Sequence, residues 1–300
     1  MKKFRLFNSL AIAVSLLGLP AISSTAFGAD DVEEVVAVGS RREARSVGDS
    51  PAPVDIITGS DFVNQGAMDL PDMIRTLVPS FNVNTQPISD AATLIRPANL
   101  RGLPPDNMLV LVNGKRRHRG AVISFLGSGI SDGAQGPDIS AIPSIALKQV
   151  EVLRDGASAQ YGSDAIAGIM NFVLRDDSEG TQLEIRTGEY KEGDGDAWRV
   201  AANIGMPFTS SGFANFSVEL QDSQATSRSV QRADAQGLYD GGNTAIWNYP
   251  EPAQIWGSPD VSDDYKFVVN IGLSLDESKD FYLFGNYGER NVLGGFFFRN

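Results

Sequence analysis

The side chains that carry out most enzymatic chemistry are scarce in this sequence. Its 300 residues include one histidine, His118, and no cysteine. A hydrolase needs a nucleophile beside a base, and zinc sites need several His or Cys ligands. Carboxylates are plentiful, but no pair lies in a recognisable acid–base site. We therefore expect no enzyme, no metal site and no cofactor.

Two glycine-rich segments resemble ligand-binding loops in composition alone. Residues 127–136, "GSGISDGAQG", lack the Lys-Ser/Thr pair and the following helix of a phosphate-binding loop. Residues 191–196, "KEGDGD", lack the downstream glutamate of a calcium-binding loop. We interpret both as turns or surface loops.

The net charge of −12 also argues against binding to nucleic acid, which requires a basic face.

The N-terminus has the pattern of a signal peptide over residues 1–28. Lys2, Lys3 and Arg5 precede an apolar run from Leu10 to Leu19, and small residues at 26–28 fit a cleavage site. That run is shorter than the ~20 residues that span a bilayer. We expect an exported mature chain with a net charge near −15, since residues 1–28 hold three cations and no acidic residue.

Residues 53–177 combine the signals of short strands and short helices. Pro53–Thr58 is typical of a strand, and Asp69 is placed to cap a helix that must end before Pro79. Asn113-Gly114 predicts a tight hairpin turn. Two apolar runs then flank a Gly/Ala/Ser segment, in which Gly168 would allow a close approach of the backbone. The pattern predicts an α+β domain around a small sheet.

After Gly180 the sequence alternates between apolar and polar residues over segments of about ten. Residues 197–206, 213–221 and 265–275 each place apolar side chains on one face and polar ones on the other. A transmembrane β-barrel and a soluble β-sandwich both have this pattern. Long connections alternate with short ones, "PFTSSG" and "DESKD", which favours the barrel. The fold class predicted from these patterns is an α+β domain followed by antiparallel strands of a transmembrane β-barrel.

Three segments give the chain a specific resemblance to a known family. They are "EEVVAVGSRR" from Glu33, "LRGLPPDNMLVLVNGKR" from Leu100, and "VEVLRDGASAQYGSDAIAGIMNFVLR" from Val150 to Arg175. The chain resembles the N-terminal part of a TonB-dependent outer-membrane receptor. The resemblance implies a signal peptide (1–28), a TonB box and linker (29–52), a plug domain (53–177) and about five barrel strands (178–300).

The resemblance also implies the activity and the partners. It implies energised import of a scarce nutrient, with TonB and its inner-membrane energising complex, outer-membrane lipid and a small nutrient ligand as partners, and no nucleic acid. Barrels of this family close with about 22 strands. An open five-stranded sheet in lipid would leave unpaired backbone groups at its edges. We therefore expect the chain to be a fragment of a longer receptor. The alternative is a passive, porin-like barrel or a structural β protein.

The TonB box is expected at residues 31–38, which we call the docking strip. Its β-branched valines could add as a strand to the edge of a partner's sheet. The alternative is an ordinary first strand of the plug. The residues predicted to contact TonB are Asp31, Val32, Glu33, Glu34, Val35, Val36, Ala37 and Val38.

Charged residues around the segment 150–175 are candidates for contacts between plug and barrel. These are Arg101, Glu151, Arg154, Asp155 and Arg175. The alternative is that they are solvated strand-end charges. Ligand contact is predicted for a basic hairpin end and a nearby aromatic ring: Arg116, Arg117, His118, Arg119 and Phe125. Such a cluster would favour an anionic ligand, and its alternative is a solvated hairpin end.

Overall fold

The computed structural model describes residues 35–36, 45–46, 53–83, 92–124, 129–243, 257–276 and 278–294. These residues belong to one compact unit, residues 34–300. The expected signal peptide, most of the docking strip and Phe125 lie outside the described residues.

The secondary structure divides into short elements before residue 177 and long strands after it. The strands are β1 (Val35–Val36), β2 (Arg45–Ser46), β3 (Val54–Thr58), β4 (Phe81–Val83), β5 (Ala98–Leu100), β6 (Met108–Val112), β7 (Lys115–Arg116), β8 (Leu147–Leu153), β9 (Gly168–Leu174), β10 (Thr181–Gly188), β11 (Ala197–Pro207), β12 (Gly212–Ser223), β13 (Asp260–Asp276) and β14 (Lys279–Leu293). The α-helices are α1 (Gly59–Val63), α2 (Leu70–Leu77), α3 (Ala92–Ile95), α4 (Ser158–Tyr161) and α5 (Ala233–Asp240).

Residues 53–176 form a globular domain around a five-stranded mixed sheet. The strand order is β3-β8-β9-β6-β7, with β6 and β9 parallel and the other pairs antiparallel. Every residue of β6, "MLVLV", is buried, because apolar side chains cover both faces of the sheet. Val110, Val150 and Phe172 belong to the larger core, and Leu111 and Ile169 to a smaller one on the other face.

Local sequence signals place the elements of this domain as expected. The side chain of Asp69 accepts a hydrogen bond from the Asp72 amide at 3.1 Å and caps α2, which ends at Leu77. Asn113 and Gly114 both have positive φ angles, 47° and 73°, as a tight primed turn requires. The Gly/Ala/Ser segment is a compact turn containing α4 and a 3-10 turn at Ser163–Ala165.

Strands β10 to β14 form an antiparallel meander, which we call the wall. Neighbouring strands in sequence are neighbours in the sheet throughout. Its apolar face is exposed, with Leu183 at 64% and Tyr287 at 61%, whereas Arg199 on the polar face is fully buried. This polarity is the reverse of that in a soluble sheet and is typical of strands that face lipid. A self-contained soluble sandwich would bury the apolar face instead.

The connections of the wall alternate in length. Residues 189–196 and 224–259 make the two longer connections, and residues 208–211 and 277–278 make the two short ones. The ends of the wall are therefore unlike: one carries tight turns, the other long loops. None of the described helices is long and apolar enough to cross a membrane.

Candidate functional site between the globular domain and the wall

The buried face of the wall carries a chain of charged side chains of alternating sign, which we call the charge ladder. Its successive nitrogen–oxygen distances lie between 2.6 and 3.5 Å. It crosses four neighbouring strands in the order Arg186, Glu184, Arg199, Glu219, Lys266, Asp264. Every charge in it has an opposite neighbour, which makes its burial tolerable, because an unpaired buried charge is very costly.

Arg199 connects the middle of the charge ladder to the globular domain. Its guanidinium contacts Glu219 at 2.6 Å and Glu184 at 3.0 Å. The same guanidinium donates to the Ser144 hydroxyl at 2.7 Å, in the 3-10 turn Ser144–Ala146 before β8. A wall cation thus holds the segment that enters the central sheet of the domain.

Arg186, at one end of the charge ladder, binds only main-chain oxygens of the globular domain. It donates to the carbonyls of Phe62 and Val63, each at 3.0 Å. It also donates to the carbonyl of Gln65 at 2.5 Å and that of Ala67 at 3.2 Å. These oxygens lie at the end of α1 and just beyond it, where a helix leaves carbonyl groups without helical partners.

Arg290 on β14 makes the third wall contact through a guanidinium group. It donates to the Ser140 hydroxyl and the Leu94 carbonyl, and pairs with Asp138 at 3.1 Å. Three wall arginines therefore bind the globular domain at residues 62–67, at residue 94, at residues 138–140 and at residue 144.

A cavity of about 130 Å³ lies between the two parts near Arg290. Asp69 and Arg96 line it from the globular domain, and Gln221 and Lys266 from the wall. Arg96 pairs with Asp69 and, at 3.1 Å, with Asp72. Burial, with Arg290 nearby, lowers the pKa of Arg96 to about 10, so it stays protonated at neutral pH. The cavity is thus lined by charges that already have partners.

The charged residues predicted to join plug and barrel make their described side-chain contacts within residues 53–177. Arg101 donates to the Ala167 carbonyl, and Arg154 pairs with Asp55 at 2.7 Å. The carboxylate of Glu151 accepts from Asn171 at 3.0 Å, and that of Asp155 accepts from the Gly156 amide. Arg175 donates to the Ile145 carbonyl, while its own carbonyl accepts from the wall residue Asn270 at 2.9 Å.

The residues of the basic hairpin end, predicted to contact ligand, differ in their partners: some bind the globular domain, and Arg117 binds the wall. Arg116 binds Asp164 and the Tyr161 carbonyl, and Arg119 lies 3.6 Å from Asp106. Arg117 instead donates to wall residue Asn286 at 2.6 Å, and burial lowers its pKa. His118 is exposed. The hairpin turn also touches the wall, since Asn113 donates to Asn270 and Tyr282.

Sequence reasoning did not single out the wall arginines. The alternation of apolar and polar residues places Arg199 and Lys266 on the polar faces of their strands, but their spacing does not indicate what they contact. The only signal in the sequence is a long, positively charged side chain in the middle of an alternating strand. A solvated strand face carries such side chains too, so the signal does not indicate a contact. The contact is visible only once the globular domain lies against that face.

Comparison with known proteins agrees with this architecture. Residues 46–169 match the model of the TonB-dependent receptor plug domain. An iron-regulated outer membrane virulence protein of Vibrio cholerae is 30% identical over 177 residues, which is 58% of this chain and 25% of that protein. The vitamin B12 transporter BtuB of Photobacterium profundum is 27% identical over 61% of this chain and 27% of its own. The chain thus spans about a quarter of these relatives.

Solved structures match both parts of the chain. A mutant of the ferric enterobactin receptor PfeA of Pseudomonas aeruginosa, in complex with enterobactin, has a TM-score of 0.59 at 19% identity and covers 80% of this chain and 33% of its own. The siderophore receptor PirA of Acinetobacter baumannii has a TM-score of 0.53 at 19% identity, over 80% and 32% of the two chains. The globular domain and the wall have the fold of such receptors, and the globular domain matches the plug domain of the TonB-dependent receptor family.

Proposed function

We propose that this chain forms the plug and the first wall strands of a receptor that imports a scarce nutrient across the outer membrane. The observation that supports this most directly is the reversed polarity of the wall: its apolar face is exposed, and the globular domain lies on its polar face. Such a domain fills the space that a nutrient would have to cross, so it would act as a gate. In this proposal residues 29–52 are the tether, 53–177 the plug and 178–300 the wall.

The proposed energy input is a pull on the docking strip by TonB. The strip contains β1, whose Val35 and Val36 pair with Ser46 and Arg45 of β2. Pairing of main chain with main chain is the interaction that a partner strand would take over. The strip is followed by a polar stretch that leads into β3 at the edge of the mixed sheet. A pull on the strip would therefore act first on that edge strand.

The proposed ligand is a metal-containing nutrient such as a ferric siderophore or a cobalamin. The relatives named for a ferric enterobactin complex and for vitamin B12 support this class. Arg116, Arg117, His118, Arg119 and Phe125 remain the proposed contact residues. Arg116, Arg117 and Arg119 each have a polar partner in the structure, so the exposed His118 is the most available of the four described residues.

The contacts between the globular domain and the polar face of the wall argue against a passive porin. A porin needs an open aqueous channel along the polar face of its strands. Here the globular domain covers that face through Arg186, Arg199 and Arg290. The cavity of about 130 Å³ near Arg290 has room for only about four water molecules, at ~30 Å³ each.

The test is growth of a strain that lacks the gene for this receptor. Cells would be grown under iron limitation on a panel of ferric siderophores and, separately, under dependence on vitamin B12. We expect growth to fail on at least one member of the panel and to return when the gene is restored. Restoration should also require an intact TonB protein. Equal growth of deletion and parent strains on every nutrient would contradict the proposal.

A further inference from the structure

Arg186 is placed unlike the other wall cations that touch the globular domain. Arg199 binds one hydroxyl of the domain, and Arg290 binds a hydroxyl, a carboxylate and one main-chain carbonyl, whereas Arg186 binds four main-chain carbonyls within six residues. A guanidinium has five donors in a rigid planar fork, so one side chain can satisfy several oxygens at once. No single hydroxyl or ammonium group has this reach.

The segment bound by Arg186 has few other means of staying in place. α1 is five residues long, and isolated helices shorter than about 12 residues are marginal in water. Of its residues, Phe62 is anchored in the larger core, while Val63 is 44% exposed. The Phe62 carbonyl also accepts from the Gln65 amide at 3.2 Å, and Ala67 packs against the larger core, but Arg186 is the side chain that bonds to the carbonyls of residues 62, 63, 65 and 67 together.

The charge ladder orients Arg186 toward these oxygens. Glu184, two residues earlier on the same face of β10, lies 3.5 Å from the Arg186 guanidinium and 3.0 Å from that of Arg199. The Arg186 side chain is 15% exposed and that of Glu184 12% exposed, so water competes little for either group. Glu184 thus fixes the guanidinium on one side while the carbonyls of the globular domain occupy the other.

α1 also lies next in sequence to the strand that the tether enters. It follows β3 without a connecting residue, and β3 is the edge strand that the tether enters. The order along the chain is docking strip, linker, edge strand, then the segment held by Arg186. A displacement transmitted along the chain from the tether would reach β3 first, and the segment held by Arg186 next, before it reached the inner strands of the sheet.

We propose that Arg186 is a positioning residue that keeps the plug in its closed place by binding the main-chain oxygens of residues 62–67. This inference rests on the proposed function, because a plug needs holding only if it gates a passage. It predicts that loss of Arg186 frees residues 62–67 locally while the mixed sheet and the wall stay folded.

The experiment is hydrogen–deuterium exchange on the full receptor, purified in detergent, with Arg186→Ala. Removing charge-assisted hydrogen bonds should raise the opening equilibrium of residues 64–68, and we expect amide exchange there to accelerate by about tenfold or more. Exchange in β8 and β9 should stay at the parent rate. Arg228→Ala is the matched control, since its contacts are to Glu192 and Asp194 in the long loops. It should leave residues 64–68 unchanged.

A second variant separates geometry from charge and remains informative if Arg186→Ala does not fold. Arg186→Lys keeps the positive charge but cannot reach four oxygens, so its exchange should lie between that of the parent and that of Arg186→Ala. Parental exchange in the lysine variant would overturn the role of the guanidinium fork, and parental exchange in a folded alanine variant would overturn the proposal.

A cellular measurement complements the exchange data. Cells producing Arg186→Ala should become sensitive to vancomycin, which an intact outer membrane excludes, whereas Arg228→Ala should not sensitise them. Unchanged resistance in cells with a correctly inserted variant would count against the inference. The exchange measurement needs no transport, so a receptor that imports none of the panel nutrients would refute the proposed function and leave the role of Arg186 to be decided on its own data.

Discussion

At the scale of single residues, the charge ladder shows how a membrane-facing wall can carry buried ions. Glu219 lies between two cations, 2.6 Å from Arg199 and 2.7 Å from Lys266, and its side chain is 3% exposed. The net stabilisation from the Glu219 ion pairs themselves is small. Removing Glu219 would be costly, because both cations would remain buried with one anion fewer. The charges on the loops are different, since water surrounds them.

Glu219→Ala should destabilise the wall strongly. Breaking a buried ion pair by removing one partner costs about 3–5 kcal/mol. We expect the urea midpoint of the detergent-solubilised receptor, followed by tryptophan fluorescence, to fall accordingly. Glu192→Ala is the control, because Glu192 pairs with Arg228 in solvent and exposed pairs contribute at most about 1 kcal/mol. Equal midpoints for the two variants would mean that the charge ladder does not stabilise the wall.

At the scale of elements, the mixed sheet depends on a close approach between β8 and β9. Gly168, the first residue of β9, has a φ of 139°. A Cβ at this position would lie 2.8 Å from Leu100 Cδ2 and closer still to the Leu153 carbonyl oxygen. The prediction from the sequence that Gly168 permits close backbone approach is therefore confirmed by the structure.

Gly168→Ala should loosen the centre of the globular domain. Backbone strain of this kind costs on the order of 1–3 kcal/mol, and the contacts with Leu100 and Leu153 add to it. Native-state hydrogen exchange of β8 and β9 amides would measure the loss. Gly237→Ala in α5 is the contrasting change, since no atom lies within 4 Å of its added Cβ and helix propensity favours alanine by about 0.5–1 kcal/mol. A Gly168→Ala variant as protected as the parent would refute this reading.

The elements themselves were largely predictable, because their signals are local. The cap at Asp69, the turn at Asn113-Gly114 and the five alternating strands each depend on residues close together in sequence. The contacts of Arg186 were not predictable, because its partners are carbonyl oxygens more than 100 residues away, and every residue has a carbonyl. Arg154 illustrates the same limit: its charge was visible, but its pairing with Asp55 follows from the register of β3 and β8.

At the scale of the whole molecule, the globular domain and the wall cover each other. The domain hides the polar face of the wall, while the apolar face remains for lipid. Transport across such an arrangement requires the domain to shift or to open, and the proposed source of that movement is the docking strip. The proposed ligand-contact residues and the docking strip lie in different parts of the sequence, so the two proposed activities should be separable by mutation.

Val36→Pro should separate them. Proline removes the amide hydrogen of residue 36 and restricts the backbone, which prevents regular strand addition to a partner. In the receptor containing this chain we expect energised uptake to be lost while ligand binding to intact cells stays at the parent level. Uptake of a labelled nutrient and its binding at 0 °C would be measured side by side, with Val230→Pro in a long loop as the control. Normal uptake by Val36→Pro would refute the assignment of residues 31–38.

The grip of Arg186 on carbonyl oxygens has a consequence for how the receptor can change over generations. Because Arg186 bonds only to main-chain oxygens of residues 62–67, these hydrogen bonds do not depend on the side chains of those residues. The exposed position 63 should therefore tolerate replacement, provided that the new residue does not bend the chain. Selection on this contact would therefore act mainly on Arg186 in β10, the first strand of the wall, and less on the side chains of residues 62–67.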